Sequence, residues 1–186
     1  MGFEKIDISL SKEKERVVRK PHLLEKLIDF LAYFALIGAY PILSGMYIIN
    51  QLKKSESIIG PVILFILFLG LSCLLLYSLL TLDKLQRIKG TTKDKNRNII
   101  KEIAEELGWN IKLDDNDITI AAQTSNAFST NWGRQILILY DAQDILINCT
   151  AFSLSDLKSP FHWLGNRVLE QKIKDEFKKR VDTTTP

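Results

Sequence analysis

The stretch SIIGPVILFILFLGLSCLLLYSLLTL, from Ser57 to Leu82, contains no charged residue. Its reading decides the fold. A helix of roughly 20 apolar residues crosses a hydrocarbon core about 30 Å thick, and this run meets that length. Working outward toward the N-terminus, Phe30 to Leu52 is a second run without charge. The chain has 186 residues, 46% of them hydrophobic, and a net charge of +3. Its apolar residues concentrate before Leu82 and its polar ones after it. The two runs predict a transmembrane hairpin over 27–82, with spans at about 27–49 and 58–82. The short loop NQLKKSES joins them.

Residues 1–26 form a basic N-terminal segment rich in Lys, Glu and Arg. The apolar run behind it is too long for a signal peptide and ends in no small-residue cleavage pattern, so the first span is expected to remain as an anchor. Lys5, Lys12, Lys14, Arg16, Arg19, Lys20 and Lys26 precede that span; Lys84, Arg87, Lys89, Lys93, Lys95, Arg97 and Lys101 follow the second. The loop between them offers only Lys53 and Lys54. Positive charge resists translocation, so both termini are expected in the cytoplasm and the loop on the far side. The sequon at Asn148 would then lie where no glycosylation occurs.

Within the first span, Ala32, Ala35, Gly38 and Ala39 are small residues at helical spacing, which lets helices approach closely in lipid. Gly70, with Ser72 and Cys73, is the matching small patch of the second span. These five positions (Ala32, Ala35, Gly38, Ala39 and Gly70) form a candidate helix-packing face. Pro21 and Pro61 suit first helical turns. Pro41 should kink the helix or break its hydrogen-bond ladder; a packing kink is the simpler reading, a hinge the sharper one. Ionisable groups inside spans mark pumps and transporters, and here only Asp29 comes near, at the cytoplasmic edge.

Beyond the spans, 83–95 reads as an exposed basic linker that would favour anionic lipid head groups. Residues 96–181 read as a small cytoplasmic α+β domain, and 182–186 as a frayed tail. In NIIKEIAEELGW, Ile99, Ile100, Ile103, Ala104 and Leu107 share one helical face, and Gly108 is a natural C-terminal cap. Ile111 and Leu113, then Ile118 and Ile120, alternate with polar residues on either side of an Asp114–Asp117 turn, where Asn116 is the expected left-handed residue. QILILY and DILINCTAF supply two more strands, joined by a turn at Asp141 to Asp144. The first is apolar on both faces and belongs inside the sheet. Leu169, Ile173 and Phe177 recur every four residues in a closing basic helix. The expected fold is therefore a membrane α-helical hairpin plus a small α+β domain, ordered helix, four antiparallel strands, helix.

Chemistry is harder to find. Cys73 sits in a span and Cys149 in a strand, which rules against a disulfide framework or a zinc spacing. His22 precedes the first span. His162 with Cys149 would be a conceivable nucleophile pair, but a mid-strand cysteine reads as core. Asp114, Asp115 and Asp117 lack the glycine and distal glutamate of a calcium loop. No catalytic residue, metal or cofactor is assigned. The basic closing helix reads as a solvated face, so no nucleic-acid partner is expected. Phe128, Trp132, Phe161, His162 and Trp163, beside Arg134 and Arg167, form the candidate interaction surface if exposed; if buried, their aromatics complete the core, the reading preferred for so small a domain.

The tail resembles a domain of small, uncharacterised bacterial two-span membrane proteins. The matching residues are Leu107, Gly108, Trp109, Trp132, Gly133, Tyr140, Asp141, the run Ile145 to Asn148, and the pair Gly165 and Asn166. The resemblance covers about half the chain and implies a C-terminal α+β domain and a bacterial cytoplasmic (inner) membrane; about a reaction it implies nothing. Expected partners are membrane lipid and another protein, or a second copy of the chain. The expected function is non-enzymatic: binding or regulating a partner at the membrane surface, as an accessory subunit. The alternative is an oligomeric effector whose spans permeabilise the membrane when the domain senses a signal.

Overall fold

The computed structural model describes residues 6–54, 56–123, 133–152 and 157–184. The chain divides into two compact units, Pro21–Leu80 on one hand and Met1–Lys20 with Thr81–Pro186 on the other.

The first unit is a pair of helices. After a short N-terminal helix α1 (Ile8–Lys14), α2 runs from Leu23 to Lys53 and α3 from Ile59 to Thr81. Both are long and apolar enough to cross a membrane. The Glu25 carboxylate accepts the His22 N–H (3.1 Å) and closes the first turn of α2. Pro41 lies inside α2, which continues through it. Proline has no N–H, so the carbonyl of Ile37, four residues back, loses its helical partner. The Ser72 hydroxyl of α3 donates to that oxygen at 2.6 Å. Ser44 Oγ meanwhile donates to the Tyr40 and Pro41 carbonyls. The Tyr40 and Phe68 rings lie 5.3 Å apart, and the α-carbon of Gly45 faces the Phe65 ring. The helix contact thus runs through Ile37, Tyr40 and Gly45 against Ser72, Phe68 and Phe65. A Cβ on Gly38 would have Ile42 and Phe34 of its own helix as its nearest neighbours, and one on Gly70 would meet nothing within 4 Å. Ala35 and Gly70 are exposed; Ala32 and Ala39 are half-buried.

Ser72→Ala should weaken the helix pair by about 1 kcal/mol, the usual worth of an interhelical side-chain hydrogen bond in an apolar setting. The loss should vanish in a Pro41→Ala background, where Ile37 regains its own helical donor. Detergent-titrated unfolding of the four chains, followed by circular dichroism, measures that coupling.

The second unit is built on a five-stranded antiparallel sheet: β1 (Gln86–Lys89), β2 (Asn110–Asp114), β3 (Ile118–Gln123), β4 (Arg134–Asp141) and β5 (Asp144–Ala151), in the order β1-β5-β4-β3-β2. Helix α4 (Lys93–Glu106) follows β1, and α5 (Trp163–Thr184) closes the chain after a 3-10 turn at Pro160–His162. The strand count corrects the expectation of four. The fifth strand comes from the stretch read as a basic linker and pairs Gln86 with Ile147 and Lys89 with Asp144. Leu85 and Ile88 are odd-spaced and go to opposite faces, so each face receives one apolar residue and no alternation shows in the sequence.

Alternation along β4 sends Ile136, Ile138 and Tyr140 to one face and Leu137 and Leu139 to the other. On the first face α4 contributes Ile99, Ile100, Ile103 and Ala104, and α5 contributes Leu169, Ile173 and Phe177. The N-terminal segment covers the second face: Ile6, Ile8 and Val17 pack with Leu85, Ile118, Ile120 and Leu146. Fully burying one such side chain is worth about 1.5–3 kcal/mol. Gly108 takes φ +64 and caps α4 as its sequence position suggests. The left-handed residue of a hairpin turn is Ala142 (φ 53), between β4 and β5, and Asn116 does not adopt that conformation.

Candidate functional site

Among the described residues, the buried polar side chains of Gln135, Asn148, Thr150, Ser159, Asn166 and Glu170 gather at one end of the sheet, where the chain leaves the domain. The stretch before α2 and the stretch after α3 lie side by side there. Val17 N–H donates to the Asp83 carbonyl (2.8 Å), Leu85 N–H to the Glu15 carbonyl (2.9 Å), and Arg16 bridges Lys84 antiparallel. Asn148 of β5, 2% exposed, points from the second face and donates through Nδ2 to the carbonyls of Leu82 (2.6 Å) and Lys84 (3.1 Å). Its Oδ1 accepts the Thr150 hydroxyl. Asp83 pairs with Lys158.

On the first face, Glu170 of α5 is 1% exposed and lies where β1 ends and β5 continues. Past Gln86 the N–H of Cys149 has no strand partner on that side, and Glu170 Oε1 accepts it at 2.9 Å. Oε2 accepts from Arg167 Nη1 (2.6 Å) and Gln86 Nε2 (3.1 Å). Arg167 Nη2 donates to the Thr81 carbonyl (2.5 Å), the last residue of α3. Burial raises the Glu170 carboxyl above its ordinary value, and the Cys149 N–H and Arg167 offset that only in part. A carboxylate on the core face of a helix, between Leu169 and Ile173, was the available sequence signal for this group.

The neighbouring candidates occupy the same end. Arg134 Nε donates to Asn166 Oδ1 (3.1 Å), and the missing side chain of Gly165 leaves room for the Arg134 guanidinium, which a Cβ would meet at 3.2 Å. Arg19 Nη2 donates to Gln135 Oε1, with its guanidinium carbon 5.1 Å from the centre of the Phe152 ring. Ser159 Oγ and His162 Nδ1 are 2.7 Å apart. Burial lowers the His162 pKa, and the Arg134 charge lowers it further. Phe161 is 64% exposed, His162 and Trp163 are half-buried, and Phe152 is buried. The aromatics therefore divide between surface and core. Phe128 and Trp132 lie outside the described residues.

Cys149 is buried, and burial, reinforced by the Glu170 charge, raises its thiol pKa well above the ordinary value. A thiol held protonated is a poor nucleophile. At the other end of the sheet, Asp114 faces Arg97, Lys101 and Thr119, and Arg97 above all holds its carboxyl below the usual range. Thr119 in turn meets the Tyr140 hydroxyl, which burial pushes up to about 12. Asp117 pairs with Lys12 and Lys93. Each of these two carboxylates is matched by basic side chains from other elements.

No protein-family model matches the chain, no curated protein is similar to it in sequence, and no solved structure matches its fold.

Proposed function

We propose that the chain is an integral membrane protein of the bacterial cytoplasmic membrane, crossing it with α2 and α3, whose sheet domain lies at the cytoplasmic surface and binds or regulates a protein partner there. The reading is non-enzymatic. Its main support is how the buried polar groups are used. Arg167, Glu170, Asn148 and the Asp83–Lys158 pair hold the backbone of residues 81–85, directly after α3, against the sheet. Such an arrangement makes the segment that follows α3 part of the sheet domain. The basic residues flanking both helices support the cytoplasmic side.

A second reading, an oligomeric effector that permeabilises the membrane, draws on the exposure of Ala35 and Gly70, where another helix could approach closely. Mild-detergent extraction of the tagged chain, with size measurement and mass spectrometry, separates the two. A stoichiometric second protein is the expected result. A homo-oligomer alone, together with membrane depolarisation on expression, would replace the adaptor with the effector.

A further inference from the structure

Helix α5 changes character along its outer side. Its core face carries Asn166, Leu169, Glu170, Ile173 and Phe177. Directly opposite, the second half presents Gln171, Lys172, Asp175 and Lys178, as a solvated helix does. The 3-10 turn before it and its first half present Phe161, Leu164 and Val168, which are 64%, 67% and 70% exposed. Their spacing of three and four residues puts them on one stripe that covers two turns and then stops.

The stripe belongs to the end of the domain from which the chain leaves toward both apolar helices. Arg167, between Leu164 and Val168, is hydrogen-bonded to Thr81, and Arg19, two residues before Pro21, is bonded to Gln135 at the same end. The local charge is positive. Lys84 and Lys172 are exposed, Lys20 is exposed and pairs with Asp7, and the acidic Asp83 and Glu170 are paired to Lys158 and Arg167. An apolar stripe with a basic surround, tethered within a few residues of a membrane helix, has the make-up of a segment that lies in the headgroup boundary of an anionic bilayer.

We propose that Phe161, Leu164 and Val168 form a membrane-docking face that seats the first half of α5 in the surface of the bilayer crossed by α2 and α3. The proposal rests on the membrane reading above. It assigns this face to lipid, so that a protein partner would be met on the remaining surface of the domain.

The test uses the full chain in a Cys73→Ala background, where the buried, protonated Cys149 does not compete for label. Single cysteines at Leu164, Val168, Gln171, Asp175 and Leu67 carry an environment-sensitive fluorophore, in vesicles of phosphatidylcholine and phosphatidylglycerol. Spin-labelled lipid should quench the Leu164 and Val168 probes several-fold more than those at Gln171 and Asp175, and less in vesicles of phosphatidylcholine alone. Leu67, inside α3, should be quenched by a deep spin label in either lipid. Quenching at Leu67 with Leu164 open to aqueous iodide leaves the span in place and overturns the docking face. Leu164 shielded from both iodide and spin-labelled lipid assigns the stripe to a second copy of the chain and also overturns it. An unquenched Leu67 removes the membrane reading itself, and the docking face with it.

Discussion

Arg167→Ala should lower the melting temperature of the sheet domain by at least about 10 °C, the equivalent of roughly 3 kcal/mol for a domain of this size. Tryptophan emission from the detergent-solubilised chain reads that domain alone, because Trp109, Trp132 and Trp163 all lie outside the helix pair. Removing the guanidinium leaves Glu170 buried with only the Cys149 N–H and Gln86 as partners, and takes from the Thr81 carbonyl a charged donor that it holds beside the Lys84 N–H. An uncompensated buried charge is the larger part of such losses. Arg167→Ala/Glu170→Gln should therefore recover part of the stability, since the amide oxygen still accepts from Cys149. The penalty also has a pH signature. The Glu170 carboxyl is raised from its ordinary 4.5, so the folded domain keeps this proton to a higher pH than the unfolded chain does. The contribution is full below the unfolded value and is lost as pH rises through the folded one. Without Arg167 the folded value rises further, so the variant should lose more at pH 7.5 than at pH 5.5. A double variant no better than the single one, or a penalty independent of pH, would remove the buried charge from the explanation.

The second large effect is expected at Asn148. Its amide reaches the carbonyls of both Leu82 and Lys84, and a buried acceptor left unpaired costs about 1–3 kcal/mol. Asn148→Ala should thus cost about 2–4 kcal/mol, and should release the backbone held behind α3. Limited trypsin digestion gives the more direct readout. Lys84 is exposed as a side chain, but its peptide is held by Asn148 and by the pairing with the N-terminal stretch, so the wild-type chain should be cut slowly there and the variant at least about tenfold faster. Asn148→Asp should be no milder than alanine, because it turns a carboxylate toward two carbonyl oxygens. Cleavage after Lys84 at the wild-type rate in Asn148→Ala would show that the N-terminal pairing alone holds this segment.

The elements with a strong period were legible in the sequence. The two charge-free runs gave the long helices, the Ile99–Leu107 face gave α4 and its glycine cap, and the doubly apolar QILILY run appears as the central strand β4. The segments without a period were not legible. Strand β1 and the residue before it divide Ile88 and Leu85 between two faces, and the N-terminal segment hides Ile6, Ile8 and Val17 among charges while using them to cover the second face of the sheet. The site followed the same rule. Arg134, Arg167, His162 and Trp163 were singled out by type, and the structure places them at one end of the domain. Glu170 and Ser72 were missed as partners, because each acts on a backbone group that is far away in sequence and becomes solitary only in the fold: the Cys149 N–H past the end of β1, and the Ile37 carbonyl behind a proline.

That carbonyl carries a consequence for how the apolar helices choose one another. Pro41 opens an acceptor at one height on α2, and α3 presents one hydroxyl at the matching height. Sliding α3 by one turn, about 5.4 Å, would bring Phe68, Leu69, Leu75 or Leu76 toward Ile37, none with an oxygen-borne proton to give. Within α2 itself, Ser44 is engaged with Tyr40 and Pro41. The proline that weakens α2 as a lone helix thereby tells it which neighbour to take and at what depth, and greasy contact alone carries no such instruction.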